Sequence, residues 1–277
     1  MKILAGIVTF NPNLKRLKAN VSAVRSQVED LIIVDNGSEN LSEIREYFSD
    51  ITIIPFYTNK GIASALNYIG QYAIENSFEW FLTLDQDTEV VENLISLYKT
   101  YLDLPKAGII SSQYQDINEP IHEFQGEEYS IVDDVITSAA LMNTRVFSVS
   151  NRFDEWMFID LVDFDINREI NRLGYQIYKI NQLGFYHEIG TKQKIEIFGK
   201  KIYPKNHSPF RKYYIYRNTI YMLKKYGFNS ITIKYGRDLI IDFWKVMLFE
   251  RQKSQKLSAM LRGLWDGLRC KVTVRNK

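Results

Sequence analysis

The 277-residue sequence predicts an α/β fold, a sheet flanked by helices, followed by a basic helical extension. Apolar, β-branched runs alternate with stretches whose apolar residues recur at helical spacing, the signature of strands linked by crossover helices. The runs end on polar tips, the edge at which open α/β sheets bind ligands. Charge divides the chain: residues 1–191 carry 14 Lys and Arg against 28 Asp and Glu, a balance of −14, and residues 192–277 carry 21 against 5, a balance of +16.

Ile3 to Phe10 reads as a strand covered on both faces, closed by Thr9-Phe10-Asn11-Pro12. Leu14, Leu17, Val21, Val24 and Val28 mark a helix. Leu31 to Val34 is the next strand, ending at Asp35-Asn36-Gly37-Ser38. Asp35 there is suited to accepting hydrogen bonds from a ligand, and equally to a turn before Asn-Gly. Ile51 to Ile54 supplies a third strand. Asn59-Lys60-Gly61 then opens a helix with Ile62, Ala65, Leu66, Ile69 and Ala73 on one side, and free amides at such a helix start suit an anion. Trp80 to Leu84 leads into Asp85-Gln86-Asp87-Thr88. Ala107–Ile110 and Val135–Met142 read as short strands, the latter rich in small residues from Ile136 to Leu141.

Asp85 and Asp87, spaced i, i+2 on an extended chain, point the same way and can share a hard divalent cation. An acidic turn is the plain alternative. In Phe153 to Asp165, Asp160 and Asp163 stand three apart on one helix face among Trp156, Phe158 and Phe164, a setting that suits a proton acceptor. Capping by acids in a first helical turn explains the same pattern. His187 is a candidate metal or phosphate ligand, or a structural histidine. Arg211-Lys212-Tyr213-Tyr214-Ile215-Tyr216-Arg217-Asn218 offers guanidinium forks and rings.

The tail from Leu239 to Arg269 repeats large apolar residues between Lys and Arg, and Asp242, Lys245 and Glu250 interrupt it too often for a bilayer span. It fits a helix pair on an anionic lipid surface, or a face packed on the rest of the chain or a second copy. Met1 to Val8 shows no export signal, and the single Cys270 excludes an intramolecular disulfide, so a cytoplasmic protein is expected.

Val8-Thr9-Phe10-Asn11-Pro12, Val34-Asp35-Asn36-Gly37-Ser38, Asn59-Lys60-Gly61 and Leu84-Asp85-Gln86-Asp87-Thr88, in that order, resemble the family 2 glycosyltransferases of GT-A fold. The likeness continues through Phe158 to Asp163, His187 and Arg211 to Asn218, is nearest to the bacterial rhamnosyltransferases, and covers roughly residues 3–225. It implies a Rossmann-like, nucleotide-binding mixed sheet flanked by helices over residues 1–225. Residues 226–277 would be an amphipathic extension for membrane association or dimerisation. Thr9, Asn11, Asp35, Asn59, Gly61, Asp85, Gln86, Arg211 and Arg217 would line the nucleotide and its phosphates; Asp87, His187 and Asp85 would hold Mn²⁺ or Mg²⁺. Asp163 would activate the acceptor, with Asp160 as rival because Val162 stands where the family carries Glu.

The activity so implied is inverting, metal-dependent transfer of L-rhamnose from dTDP-L-rhamnose to a lipid-linked oligosaccharide or polysaccharide in cell-surface glycan biosynthesis. The enzyme would be peripheral at the inner face of the cell membrane, with an anionic membrane surface and a possible homodimer as partners and no nucleic acid. UDP-sugar-dependent hexosyl or galactofuranosyl transfer is the alternative within the class; a non-catalytic, basic nucleotide- or RNA-binding protein is the alternative outside it.

Overall fold

Strand β1 (Ile3–Thr9) is buried at every position, as a strand with layers on both faces must be. The computed structural model describes residues 1–118, 124, 126–187, 195–197, 200–202, 204 and 206–272. Two units form: Met1–Phe158 with Val162–Glu188, and Ile159–Leu161 with Ile189–Lys277.

In the first unit, α1 (Leu14–Arg25) starts where the Asn13 side chain accepts from the amides of Lys15 and Arg16, satisfying donors that the helix leaves unpaired. β2 (Asp30–Asp35), α2 (Leu41–Tyr47), β3 (Thr52–Pro55), α3 (Ile62–Glu75) and β4 (Trp80–Asp85) follow. These four strands lie parallel, and the registers Thr9↔Asp35, Val8↔Asp85 and Asp35↔Pro55 gather the ends of β1, β2, β3 and β4 on one edge. α3 approaches the sheet so closely that a Cβ on Gly6 would come 2.5 Å from the Ile69 side chain.

β5 (Glu89–Val90), α4 (Leu94–Lys99), β6 (Ala107–Asp116), β7 (Tyr129–Ile131), β8 (Ala140–Asn143), α5 (Thr144–Val149), a 3₁₀ turn at Glu155–Met157, α6 (Val162–Arg172) and β9 (Gln176–His187) complete the unit. β8 runs antiparallel to both β4 and β6, β9 runs parallel to β6, and β5 and β7 pair antiparallel with β9. The sheet is therefore mixed, in the order β3-β2-β1-β4-β8-β6-β9-β5, with β7 also on β9. The strand expected over 135–142 shortens to Ala140–Asn143. Thr83 donates its hydroxyl to the Thr137 carbonyl at 2.6 Å, the Ala139 amide donates to the Thr83 carbonyl, and Ala139 takes φ 55°. Hydroxyl and backbone contacts with β4 win over the local strand preference.

In the second unit a hairpin of β10 (Ile195–Ile197) and β11 (Lys200–Ile202) precedes α7 (Pro209–Tyr226), α8 (Ser230–Phe249) and α9 (Lys253–Arg269). The expected boundary after residue 225 falls within this unit, because α7 packs with α8 and α9 around Tyr216, Leu239, Val246 and Met260. α9 meets α7 through Gly263 and Gly267, where added Cβ atoms would lie 2.4 Å from the Tyr213 carbonyl oxygen and 2.7 Å from that of Arg217. Buried Lys212 reaches Asp242 at 2.6 Å and Glu250 at 3.5 Å; buried Lys256 reaches Glu250 at 2.8 Å. Charges this deep require such partners.

Candidate active site

The sheet edge is built by side chains that tie strand ends together. Fully buried Asp35 accepts from the Thr9 hydroxyl at 3.0 Å and from the amides of Gly37 and Ser38 at 3.1 and 2.9 Å. Its carboxylate thus shapes the loop after β2. Asn11, at φ 48°, accepts from the Glu39 amide, while its own amide donates to the Ser38 hydroxyl. Asn36 and Asn59 are joined at 3.1 Å; Asn36 accepts from the Lys60 amide and Asn59 from that of Gly61. Gly61 sits at φ 85°, and a Cβ there would come 2.6 Å from the Phe158 carbonyl oxygen, the group that accepts from the Ile62 amide. Only glycine meets both demands.

Gln86 accepts from the Phe10 amide at 2.8 Å and Asn20 donates to the Asp85 carbonyl at 2.7 Å, which pins the turn between Asp85 and Asp87. The register Glu89↔Tyr186 lays β5 against the end of β9 and brings His187 beside that turn. His187 Nδ1 stands 4.0 Å from Asp87 Oδ1. One ligand atom from each of Asp85, Asp87 and His187 lies within 4.8 Å of the others. Burial, and next the charge of Asp87, push the Asp85 carboxyl up to about 6, against a lowering hydrogen bond from Ser138. Two carboxylates and an imidazole converging at this range, with one carboxyl destabilised as an anion, fit a hard divalent cation such as Mn²⁺ or Mg²⁺.

Asp163 lies in the first turn of α6, where the helix dipole favours a negative charge, and accepts from the Thr137 hydroxyl at 3.0 Å. The next residue, Ser138, accepts from the Asp85 amide at 3.2 Å and shares a hydrogen bond with Thr88. A single turn therefore touches both the acid of α6 and the acidic loop after β4. Neither Thr137 nor Ser138 stood out in the sequence beyond the small-residue run Ile136–Leu141; their partners lie far along the chain, beyond the reach of local pattern. Arg168, in the helical turn after Asp165, is paired with Asp133 and Asp134.

The remaining candidates stand in the second unit. Arg211 makes a two-pronged ion pair with Asp160, at 2.6 and 3.3 Å. Burial lowers its pKa, but the Asp160 hydrogen bond and charge outweigh this and raise it. Asp160 and Leu161 both adopt positive φ, near 63° and 64°, and the Asn218 side chain holds the carbonyls of Ile159 and Asp160 at 2.8 Å each. Arg217 is buried, donates to Asn218, and lies 4.6 Å over the Tyr214 ring. Asp160 therefore stands before α6, in a left-handed turn, and of the two acids expected on one helix face only Asp163 lies on the helix.

The pattern described as glycosyl transferase family 2 matches residues 5–159. The chain belongs to that family. The dTDP-rhamnosyl transferase RfbF of Shigella flexneri is 29% identical to this transferase over 240 residues, 80% of each chain. Among solved structures, TarS 1-349 of S. aureus superposes with a TM-score of 0.59 at 11% identity, covering 97% of this chain and 81% of that one. The same fragment in complex with UDP-GlcNAc gives 0.59 at 13%, covering 95% and 82%. GalNAc-T7 with UDP, GalNAc and Mn²⁺ gives 0.56 at 14%, covering 87% and 54%. At such identities the likeness is one of fold: this family 2 transferase has the mixed, helix-flanked sheet of the GT-A enzymes.

Proposed function

We propose that the transferase moves L-rhamnose from dTDP-L-rhamnose to a hydroxyl of a lipid-linked glycan, inverting the anomeric carbon. The observation that carries the reading is the Thr137–Ser138 turn, which contacts Asp163 on one side and the Asp85 loop on the other. Choice of donor rests on the likeness to the dTDP-rhamnosyl transferase.

In this reading the loops after β1 and β2, tied by Thr9, Asn11 and Asp35, cradle the nucleoside, and the backbone at Asn59–Gly61 approaches its ribose and phosphates. Asp163 holds the proton that leaves the acceptor hydroxyl as that oxygen attacks the anomeric carbon. The bond from this carbon to the diphosphate oxygen breaks, and its electron pair departs with dTDP. Proton acceptance of this kind contributes about 10² to 10⁴-fold. Asp85, Asp87 and His187 are the residues that would hold Mn²⁺ or Mg²⁺, which when bound supplies positive charge for the departing diphosphate. Asp160 has both carboxylate oxygens engaged by Arg211, so Asp163 is the acid assigned the proton.

For residues 226–277 we favour a peripheral role at the cytoplasmic face of the membrane. Among the described residues no helix is long and apolar enough to cross a bilayer. Ile240, Trp244 and Leu248 on α8, and Leu261, Trp265 and Leu268 on α9, are all more than half exposed, among many Lys and Arg. That combination suits anionic lipid.

The test is nucleotide release from dTDP-L-rhamnose and a panel of UDP-hexoses and UDP-galactofuranose, with and without Mn²⁺, acceptor glycan and Asp163→Asn. The expected result is acceptor-dependent dTDP release that needs the cation and Asp163, with an inverted product. A retained anomeric configuration, a UDP-sugar preference, metal-independent turnover or an active Asp163→Asn would each overturn the corresponding part.

A further inference from the structure

We propose that Thr137 is a positioning residue for the reaction: its hydroxyl holds the Asp163 carboxylate ionised and turned toward one orientation. This rests on the reading of Asp163 as proton acceptor. The Thr137 hydroxyl lies 3.0 Å from Asp163 Oδ1, and the residue is 6% exposed. A donor to the charged form of a carboxylate favours that form, and a donor held at a fixed point restricts the carboxylate's rotation.

The hydroxyl can do this because its backbone is immobilised from two directions. On the sheet side, the Thr137 carbonyl accepts from Thr83, and the Ala139 amide donates to the Thr83 carbonyl at 2.8 Å. On the helix side, buried Asn167 of α6 donates to the Val135 carbonyl at 2.7 Å, and Arg168 holds the Asp133 carbonyl and the Asp134 carboxylate. Residues 163 and 167 are one helical turn apart and share a face, so the segment is clipped along α6 at Asn167 and Asp163. Removing the Thr137 hydroxyl alone leaves the other clips and the sheet contacts in place. The neighbouring Ser138 extends the same rigid turn to Asp85 and Thr88, so Thr137 also fixes where the proton acceptor stands relative to the acidic loop.

The experiment compares Thr137→Val, Thr137→Ser and Asp163→Asn in the full chain, reading kcat, donor KM and the pH profile of kcat at saturating donor and Mn²⁺, with melting temperature beside them. Thr137→Val should lower kcat about tenfold, the scale of one hydrogen bond to a charged group. It should leave donor KM unchanged and move the acidic limb of the profile upward by about one pH unit. Thr137→Ser, which keeps the donor, should restore both. A purely structural threonine would change melting temperature while leaving the limb where it is; that result overturns the inference. Should Thr137→Val melt below the assay temperature, Thr137→Ala is read for the same limb: an upward shift supports the inference and an unmoved limb overturns it. Wild-type turnover in Asp163→Asn would instead remove the proton acceptor itself, whereas an inactive Asp163→Asn beside a wild-type Thr137→Val profile would sink this inference alone.

Discussion

Asp163 accepts from a hydroxyl and stands at the positive end of α6, and both features stabilise charge rather than fold. Asp163→Asn should therefore cut kcat by about 10² to 10⁴-fold while circular-dichroism melting stays near wild type; a large loss of stability would point to a structural acid. Asp85 behaves oppositely. Its carboxyl is pushed from 3.8 to about 6, first by burial and then by Asp87. The folded, metal-free chain then binds a proton between about pH 4 and 6 that the unfolded chain has released, so this group makes stability fall as pH rises through that window. Asp85→Asn should remove that slope and stabilise the metal-free protein at neutral pH. Melting temperatures measured from about pH 4.5 to 7 check it, and an unchanged slope would refute it. The D-x-D pair was legible because two acids on an extended chain share a side. Residue type alone made His187 only a candidate ligand, and the family resemblance set it with Asp85 and Asp87; what brings it to Asp87 is strand pairing between β5 and β9.

At the scale of elements, the parallel strands and α3 were readable from β-branched runs and helical spacing, to within a residue or two at most ends. The turn at 137–139 was not, because Thr83 and Ser138 hydroxyls divert a strand-like run into backbone contacts with β4. Gly263 shows a similar conflict between local and tertiary preference. In an exposed helix, Gly→Ala gains roughly 0.5–1 kcal/mol, but a Cβ here would press to 2.4 Å on the Tyr213 backbone oxygen, an atom that a rotamer change cannot move. Gly263→Ala should therefore destabilise α7–α9 packing by roughly 1–3 kcal/mol, read as an earlier loss of helical signal on heating; a higher melting temperature would show that the helices part freely. Glu250 is the electrostatic counterpart. Burial raises its pKa, but Lys256 and Lys212 outweigh burial and lower it. Its contribution is present above the ordinary glutamate range and lost as pH falls through its depressed value. Glu250→Gln should cost roughly 3–5 kcal/mol by taking the carboxylate from the buried Lys256 ammonium, while Lys212 keeps Asp242.

For the molecule as a whole, the charge division visible in composition acquires a surface in the second unit, where Trp244 and Trp265 are more than half exposed. The chain should sediment with vesicles of anionic lipid at low salt, less so with neutral vesicles, and Ile240→Glu with Trp244→Glu should release it. Failure to sediment, together with elution as a dimer, would assign this face to a second copy. The basic, apolar helices of this face were legible in the sequence, whereas the loops were not, since they carry no periodicity to read. The Asp85–Asp87–His187 cluster has a different kind of reach: Thr88 and His187, which meet beside it, are 99 residues apart. During synthesis the ribosome releases both carboxylates long before the imidazole, and the three meet only when β9 has been laid against β5. On the proposed reading, ion capture then waits on completion of the first unit. Nascent chains halted before His187 should hold Mn²⁺ no better than a short acidic peptide does.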